Sequence, residues 1–155
     1  MQVLEPITVA DARAFLSLPV TDTQEDALLE LLISGARAQA ENYIRRRIAQ
    51  QEVWDRVIAN RTGRHDSVDG ITMLTEVLLN GTDITSECSV NGHGWLVYPP
   101  SVGILDIQYT TEEYCPPDVR NALLMMVRNS YTDRSADPLS EEVKGILEKH
   151  RVMRV

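Results

Sequence analysis

The chain has 155 residues, 43% of them hydrophobic and 25% charged, and its 15 Lys and Arg against 23 Asp and Glu leave a net charge of −8. Such a composition belongs to a globular domain long enough to bury a core and excludes a disordered tail. The acidic balance argues against nucleic-acid affinity built on phosphate neutralisation; no apolar run approaches the ~20 residues that cross a bilayer, and no basic segment followed by an apolar one opens the chain, so it reads as soluble and untargeted.

Residues 1–6 read as an arm ending at Pro6. Thr8 then opens a helix over 8–18, with Asp11 completing a capping box and Val9, Ala12, Phe15 and Leu16 forming its apolar stripe. Pro19 stops it, and the short linker Val20 to Asp22 folds it back on the next element. That element is the longest: Leu28, Leu32, Ala36, Ala40, then Tyr43 or Ile44, and Ile48 recur at helical spacing, predicting a helix over 23–48. Thr23 is its expected cap, Glu25 and Asp26 suit its positive end, and Arg45, Arg46 and Arg47 suit its negative end. Gly35 sits mid-helix, where it costs about 1 kcal/mol relative to Ala. A close backbone approach would offset that, either from another helix of the same chain or from a neighbouring subunit.

From Glu52 the period shortens. Glu52 to Ile58 reads as a strand, the polar run Asn60 to Gly70 as a long loop, and Thr72 to Leu79 as a second strand. Asn80-Gly81-Thr82-Asp83 is a turn, Ile84 to Val90 an extended piece, and Asn91-Gly92-His93-Gly94 a tight turn into Trp95 to Tyr98. In Ile104 to Thr110, Leu105, Ile107 and Tyr109 alternate with Asp106 and Gln108, giving one buried and one wet face. These four or five strands make a small antiparallel sheet over 52–110. Pro116 and Pro117 open a strongly apolar helix over 116–134, and Ser140 with Glu141 and Glu142 opens a last one over 140–150, whose edge is Val143, Ile146, Leu147 and His150. The tail is Arg151, Val152, Met153, Arg154 and Val155. The expected fold is α+β, mainly α: a single domain with a small helical bundle around one long helix and an inserted antiparallel sheet.

No phosphate loop, HExxH or GxSxG is present. His65 falls in a polar loop, His93 in a turn and His150 at a helix end. Cys88 and Cys115 have no CxxC partner, so reduced thiols are the expectation rather than zinc or a disulfide. Asp66 and Asp69 beside His65 form at best a weak cation site. The Arg45-Arg46-Arg47 run can grip an acidic partner or a phosphate backbone, or it can simply end a helix with its stems half buried. The Met125-Met126 pair reads as core. An enzymatic or ligand-carrying role would rest on His93, Asp83 and Glu87 near one end of the sheet, and a cellular interaction domain would use the long helix.

The order of elements resembles the head-tail connector (adaptor) proteins of tailed bacteriophages. Ile7-Thr8, Asp11-Ala12 and Leu16 look like that family's opening helix. Asp26, Leu29, Ile33, Ala36-Arg37 and Glu41-Asn42-Tyr43 look like its long helix, followed by a strand with an aromatic, Trp54. Tyr109, Pro116-Pro117-Asp118-Val119, Ala122-Leu123-Leu124 and Tyr131 to Arg134 form the most specific part. The likeness covers residues 7 to 58 and 96 to 134. It departs after Tyr43, where a Gly-containing turn is often seen and Ile44-Arg45-Arg46-Arg47 stands, so the helix is expected to run longer here.

The resemblance implies a structural, non-catalytic virion protein without cofactor or metal, and without membrane contact, at the neck of the particle and in the host cytoplasm during assembly. It would be one copy of a twelvefold ring that docks under the portal protein, extends the DNA channel and receives a head-completion (stopper) or tail-completion protein. Double-stranded DNA would pass without specific binding, which an acidic wall favours. The expected portal contact is the C-terminal amphipathic segment, Leu139, Val143, Ile146, Leu147, Arg151, Val152 and Arg154. The expected subunit contact is Gly35 with Arg45, Arg46 and Arg47. The expected channel loop is Arg61, Arg64, His65 and Asp66, which composition makes long and mobile.

Overall fold

The computed structural model describes residues 3–19 and 23–153. The linker expected at Val20 to Asp22, and the tail positions Arg154 and Val155, lie outside the described residues. Helix accounts for 38% and strand for 24%, so the chain is α+β without the expected helical majority. It forms two compact units, one of Met1–Leu4 with Gln50–Glu113 and the other of Glu5–Ala49 with Tyr114–Val155.

The second unit is helical. Helix α1 spans Val9–Leu16 and opens with the expected capping box: Thr8 accepts from the Asp11 N–H while the Asp11 carboxylate accepts from the Thr8 N–H, which satisfies two otherwise orphaned donors. Helix α2 spans Asp26–Ile44 and is shorter at both ends than its periodicity predicts. Glu25, not Thr23, is its N-cap residue. At the other end Arg45 takes φ 59°, in the left-handed region, and so occupies the terminating position that glycine usually fills. The departure from the family pattern is therefore one of residue type and leaves the turn in place. Helix α3, Pro117–Thr132, begins on the expected prolines, and α4, Glu141–Leu147, is capped by Ser140 and followed by a 3-10 turn over Glu148–His150.

The helical core is built on α2 and α3 together. Leu29, Ile33, Ala36, Ala40 and Ile44 of α2 meet Val119, Ala122, Leu123, Met126 and Val127 of α3 in one buried cluster; the expected stripe holds from Ala36 onward, but at the start of the helix it is shifted by one residue, with Leu28 and Leu32 only half-buried. Two buried arginines tie the helices to their connections. Arg13 donates to the Pro19 carbonyl at 2.7 Å and to the Asp26 carboxylate. Arg37 is held between Glu5 and Glu41. Glu41 also accepts from the backbone N–H groups of Ile48 and Ala49, at 2.8 and 3.2 Å, and so shapes the chain as it leaves α2.

The first unit holds two antiparallel sheets where the sequence suggests one. Strands β1 (Glu52–Ala59), β3 (Ile71–Leu79), β4 (Thr82–Asp83) and β7 (Gly103–Thr111) form a sheet in the order β1-β7-β3-β4. Strands β2 (Arg64–His65), β5 (Ser89–Val90) and β6 (Leu96–Val97) form a second in the order β2-β6-β5. Ile84 to Val90, expected as continuous extended chain, is instead broken by a 3-10 turn at Thr85–Glu87. Asn80 and Gly81, both at positive φ, make the two-residue turn between β3 and β4. Along β7, Leu105, Ile107 and Tyr109 are buried, as their alternation predicts.

Candidate functional site

The functional residues expected from sequence divide among three places, and the first is the C-terminal segment. Val143 and Leu147 are fully buried in the helical core, with Leu139 and Ile146 packed against it. Their apolar edge is spent inside the chain and is not a free docking face. What remains on the surface is the end of the segment, fastened by polar contacts. Tyr43 donates to Glu148 at 2.8 Å, Glu148 in turn accepts from Arg151 at 3.4 Å, and the Val152 N–H donates to the Ile44 carbonyl at 2.8 Å. His150 bridges the Tyr114 hydroxyl, 2.9 Å from Nδ1, and the Asp118 carboxylate, 2.7 Å from Nε2. Arg151 and Met153 are exposed.

The His150 hydrogen bond holds the Asp118 carboxyl below the usual carboxylate range. A depressed folded-state value contributes stability that is present above the unfolded value, about 3.9, and lost as the pH falls through the folded one. The expected result is a gap in urea midpoint between wild type and Asp118→Asn that is present at pH 5 and closes as the pH falls below about 4; a gap unchanged at pH 3 would contradict it.

The second place is the end of α2, where the arginine run separates into three environments. Arg46 stacks on the Tyr114 ring at 3.6 Å from its centroid, an arrangement that fixes a guanidinium by cation–π attraction. Arg47 is half buried, and Arg45 is exposed on the left-handed turn. Around Gly35 no atom beyond its chain neighbours and its own helix backbone lies within 4 Å of where a Cβ would stand. The intramolecular close crossing is therefore absent among the described residues, and Gly35 lies beside Leu31, which is exposed.

The third is the run from Asn60 to Gly70, which is pinned along its length. Arg64 and His65 form β2 against Leu96 and Val97. The Tyr98 hydroxyl accepts from the Asn60 N–H, and the Tyr98 N–H donates to Gly63. The Ser67 hydroxyl meets the buried Tyr109 hydroxyl at 3.1 Å, and Tyr109 donates to Asp55 at 2.6 Å. Burial, with the Asp55 contact adding to it, raises the Tyr109 pKa, while burial pushes the His65 imidazole down. Arg64 lies over the Trp95 ring at 3.6 Å and within 3.5 Å of Asp66, and Arg61 is exposed. Mobility is thus corrected to a tethered loop whose outer rim carries Arg61, Arg64 and Asp66.

Of the residues considered for chemistry, Asp83 and His93 have structural employment. Asp83 accepts from the Thr85 N–H and hydroxyl, which lowers its pKa. His93 stands beside Trp95 with ring centroids 5.3 Å apart. Among the described residues no three His, Cys, Asp or Glu are grouped to hold a metal ion, and Cys88 and Cys115 form no disulfide.

The fold is similar to solved structures of gene transfer agent (GTA) particles. "Neck of empty GTA particle computed with C6 symmetry" matches with a TM-score of 0.69 at 19% identity, covering 100% of this chain and 97% of that one. "Virion of native gene transfer agent (GTA) particle" gives 0.68 at 17% identity with the same coverage. "Neck of native GTA particle computed with C12 symmetry" gives 0.65 at 17%, again covering 100% and 97%. At these identities the likeness establishes the fold. A search of curated sequences returns no match. The profile of the family described as "Phage gp6-like head-tail connector protein" matches residues 6–151.

Proposed function

Because the chain belongs to the phage gp6-like head-tail connector family, a family of structural, non-catalytic virion proteins, we propose that it is a subunit of a ring in the neck of a phage-like particle. The observation that carries this is the reach of the match, which takes in both compact units from residue 6 to residue 151. The neck structures of similar fold, described with C6 and C12 symmetry, support a closed ring of twelve copies. In this reading the ring docks under a portal protein, continues the DNA channel and offers its other side to a head-completion or tail-completion protein.

The end of the C-terminal segment, where Arg151 and Met153 are exposed, makes the portal contact, with α4 as its buried anchor. The α2 surface at Gly35 and Arg45 makes a contact between subunits, and the tethered rim of Arg61, Arg64 and Asp66 faces the channel. A chain of net charge −8 repels phosphate and lets duplex DNA pass without holding it. Native mass measurement of purified portal mixed with the chain is expected to give the portal mass plus twelve copies. A portal that stays bare at micromolar chain concentrations would overturn the proposal.

A further inference from the structure

The four-stranded sheet of the first unit has an outer face that is not polar. On the inner side Val53, Val77, Leu105, Ile107 and Tyr109 are buried. On the outer side, antiparallel register places Trp54 beside Gln108 and Glu76, Arg56 beside Asp106 and Leu78, and Ile58 beside Ile104. Trp54 is 51% exposed, Ile58 82%, Ile104 49% and Met73 60%, with Leu4 and Val102 also open. The exposed face of an antiparallel sheet normally carries polar residues. Large apolar side chains this open on one sheet face, Trp54 and Met73 towards one end and Ile58 and Ile104 towards the other, are the mark of an interaction surface. In the middle, Arg56 and Asp106 pair through two hydrogen bonds of 2.6 and 3.1 Å, so the patch carries its own neutralised charge.

We propose that this sheet face binds a second copy of the same chain, head to tail, through that copy's α2 surface at Leu31, Gly35 and Arg45. The inference rests on the ring reading and supplies its missing half. A cyclic ring has a heterologous interface, so each subunit must present two different, complementary patches. The α2 surface is one, with Leu31 69% exposed and open space over Gly35, and the sheet face is the other. Charge agrees with the pairing. Copies of net charge −8 repel one another unless the contact is locally neutral or opposite in sign. On the sheet face Arg56 and Asp106 neutralise each other, while Glu52, bonded to the neutral Gln108, and Glu76 keep their negative charge; exposed Arg45 on the α2 turn brings a cation of the opposite sign.

The test places a photoreactive phenylalanine analogue at position 58 and irradiates the full-length chain twice, bound to portal and alone at high concentration. Ile58 points to solvent, so the substitution leaves the fold intact, and an unchanged melting curve checks this. Expected are covalent pairs of the chain in both samples, with the cross-linked peptide lying within residues 27–47 of the second copy. Ile58→Glu is expected to weaken self-association at least tenfold. Cross-links to the portal, cross-links between two sheet faces, no cross-linked pair, or an Ile58→Glu chain that associates like wild type would each overturn the proposal. A bare portal in the wild-type control would count against the ring reading, whereas the sample without portal still decides the sheet-face contact.

Discussion

Replacing Glu41 with Ala is expected to lower the unfolding free energy of the helical unit by about 2–4 kcal/mol, chiefly from two backbone N–H groups left without their acceptor, since Glu5 still faces Arg37. The Glu41 side chain, like that of Arg37, is largely shielded from solvent, so water cannot replace what is lost. One carboxylate oxygen serves the N–H groups of Ile48 and Ala49 and the other serves Arg37. Each N–H stranded on a buried segment adds a penalty of roughly 1–3 kcal/mol. Glu41→Gln keeps an acceptor for the backbone but loses the charge facing Arg37, and is expected to fall about midway. Urea titrations followed by circular dichroism would check both, and an Ala variant within 1 kcal/mol of wild type would show that the turn after α2 is held by packing alone.

The second large effect concerns truncation. Removing residues 139–155 is expected to unfold the helical unit, because Val143 and Leu147 are fully buried. Each contributes about 1.5–3 kcal/mol by burial alone, and the bared surfaces of their neighbours add more, against a whole-domain stability of only about 5–15 kcal/mol. Removing only 151–155 takes away the Val152 bond to Ile44 and the Arg151 link to Glu148, at a cost of about 1–2 kcal/mol. The shorter truncation is expected to stay folded and to lose portal binding in co-sedimentation. If it sediments with portal like the full chain, the portal contact lies elsewhere.

Where information is local, these elements were legible in the sequence. The Thr8 and Ser140 caps, the Pro116-Pro117 helix start and the buried alternation in β7 each depend on residues within one or two turns of each other, and each is found as expected. Misreadings occur where distant residues decide. Strand β2 is two residues long and exists only by pairing with β6, some thirty positions away; nothing in Asn60 to Gly70 announces it. The apolar edge of α4 was visible, but an amphipathic segment looks the same whether it covers its own core or another protein's. In β1 both faces carry large apolar residues, Val53 and Val57 on one and Trp54 and Ile58 on the other, so alternation alone cannot say which is inside. The partnering of Asp55 with Tyr109 marks the inner side, and Ile58 facing Ile104 across the pair was the available clue to an apolar outer one.

The Tyr114 N–H donates to the Ile48 carbonyl at 2.9 Å, so the chain leaves the helical unit and re-enters it at almost the same point. Ile48 and Tyr114 are thus clamped side by side within the helical unit, so a change in the length of the excursion between them is absorbed inside that excursion while its two ends stay where this bond holds them.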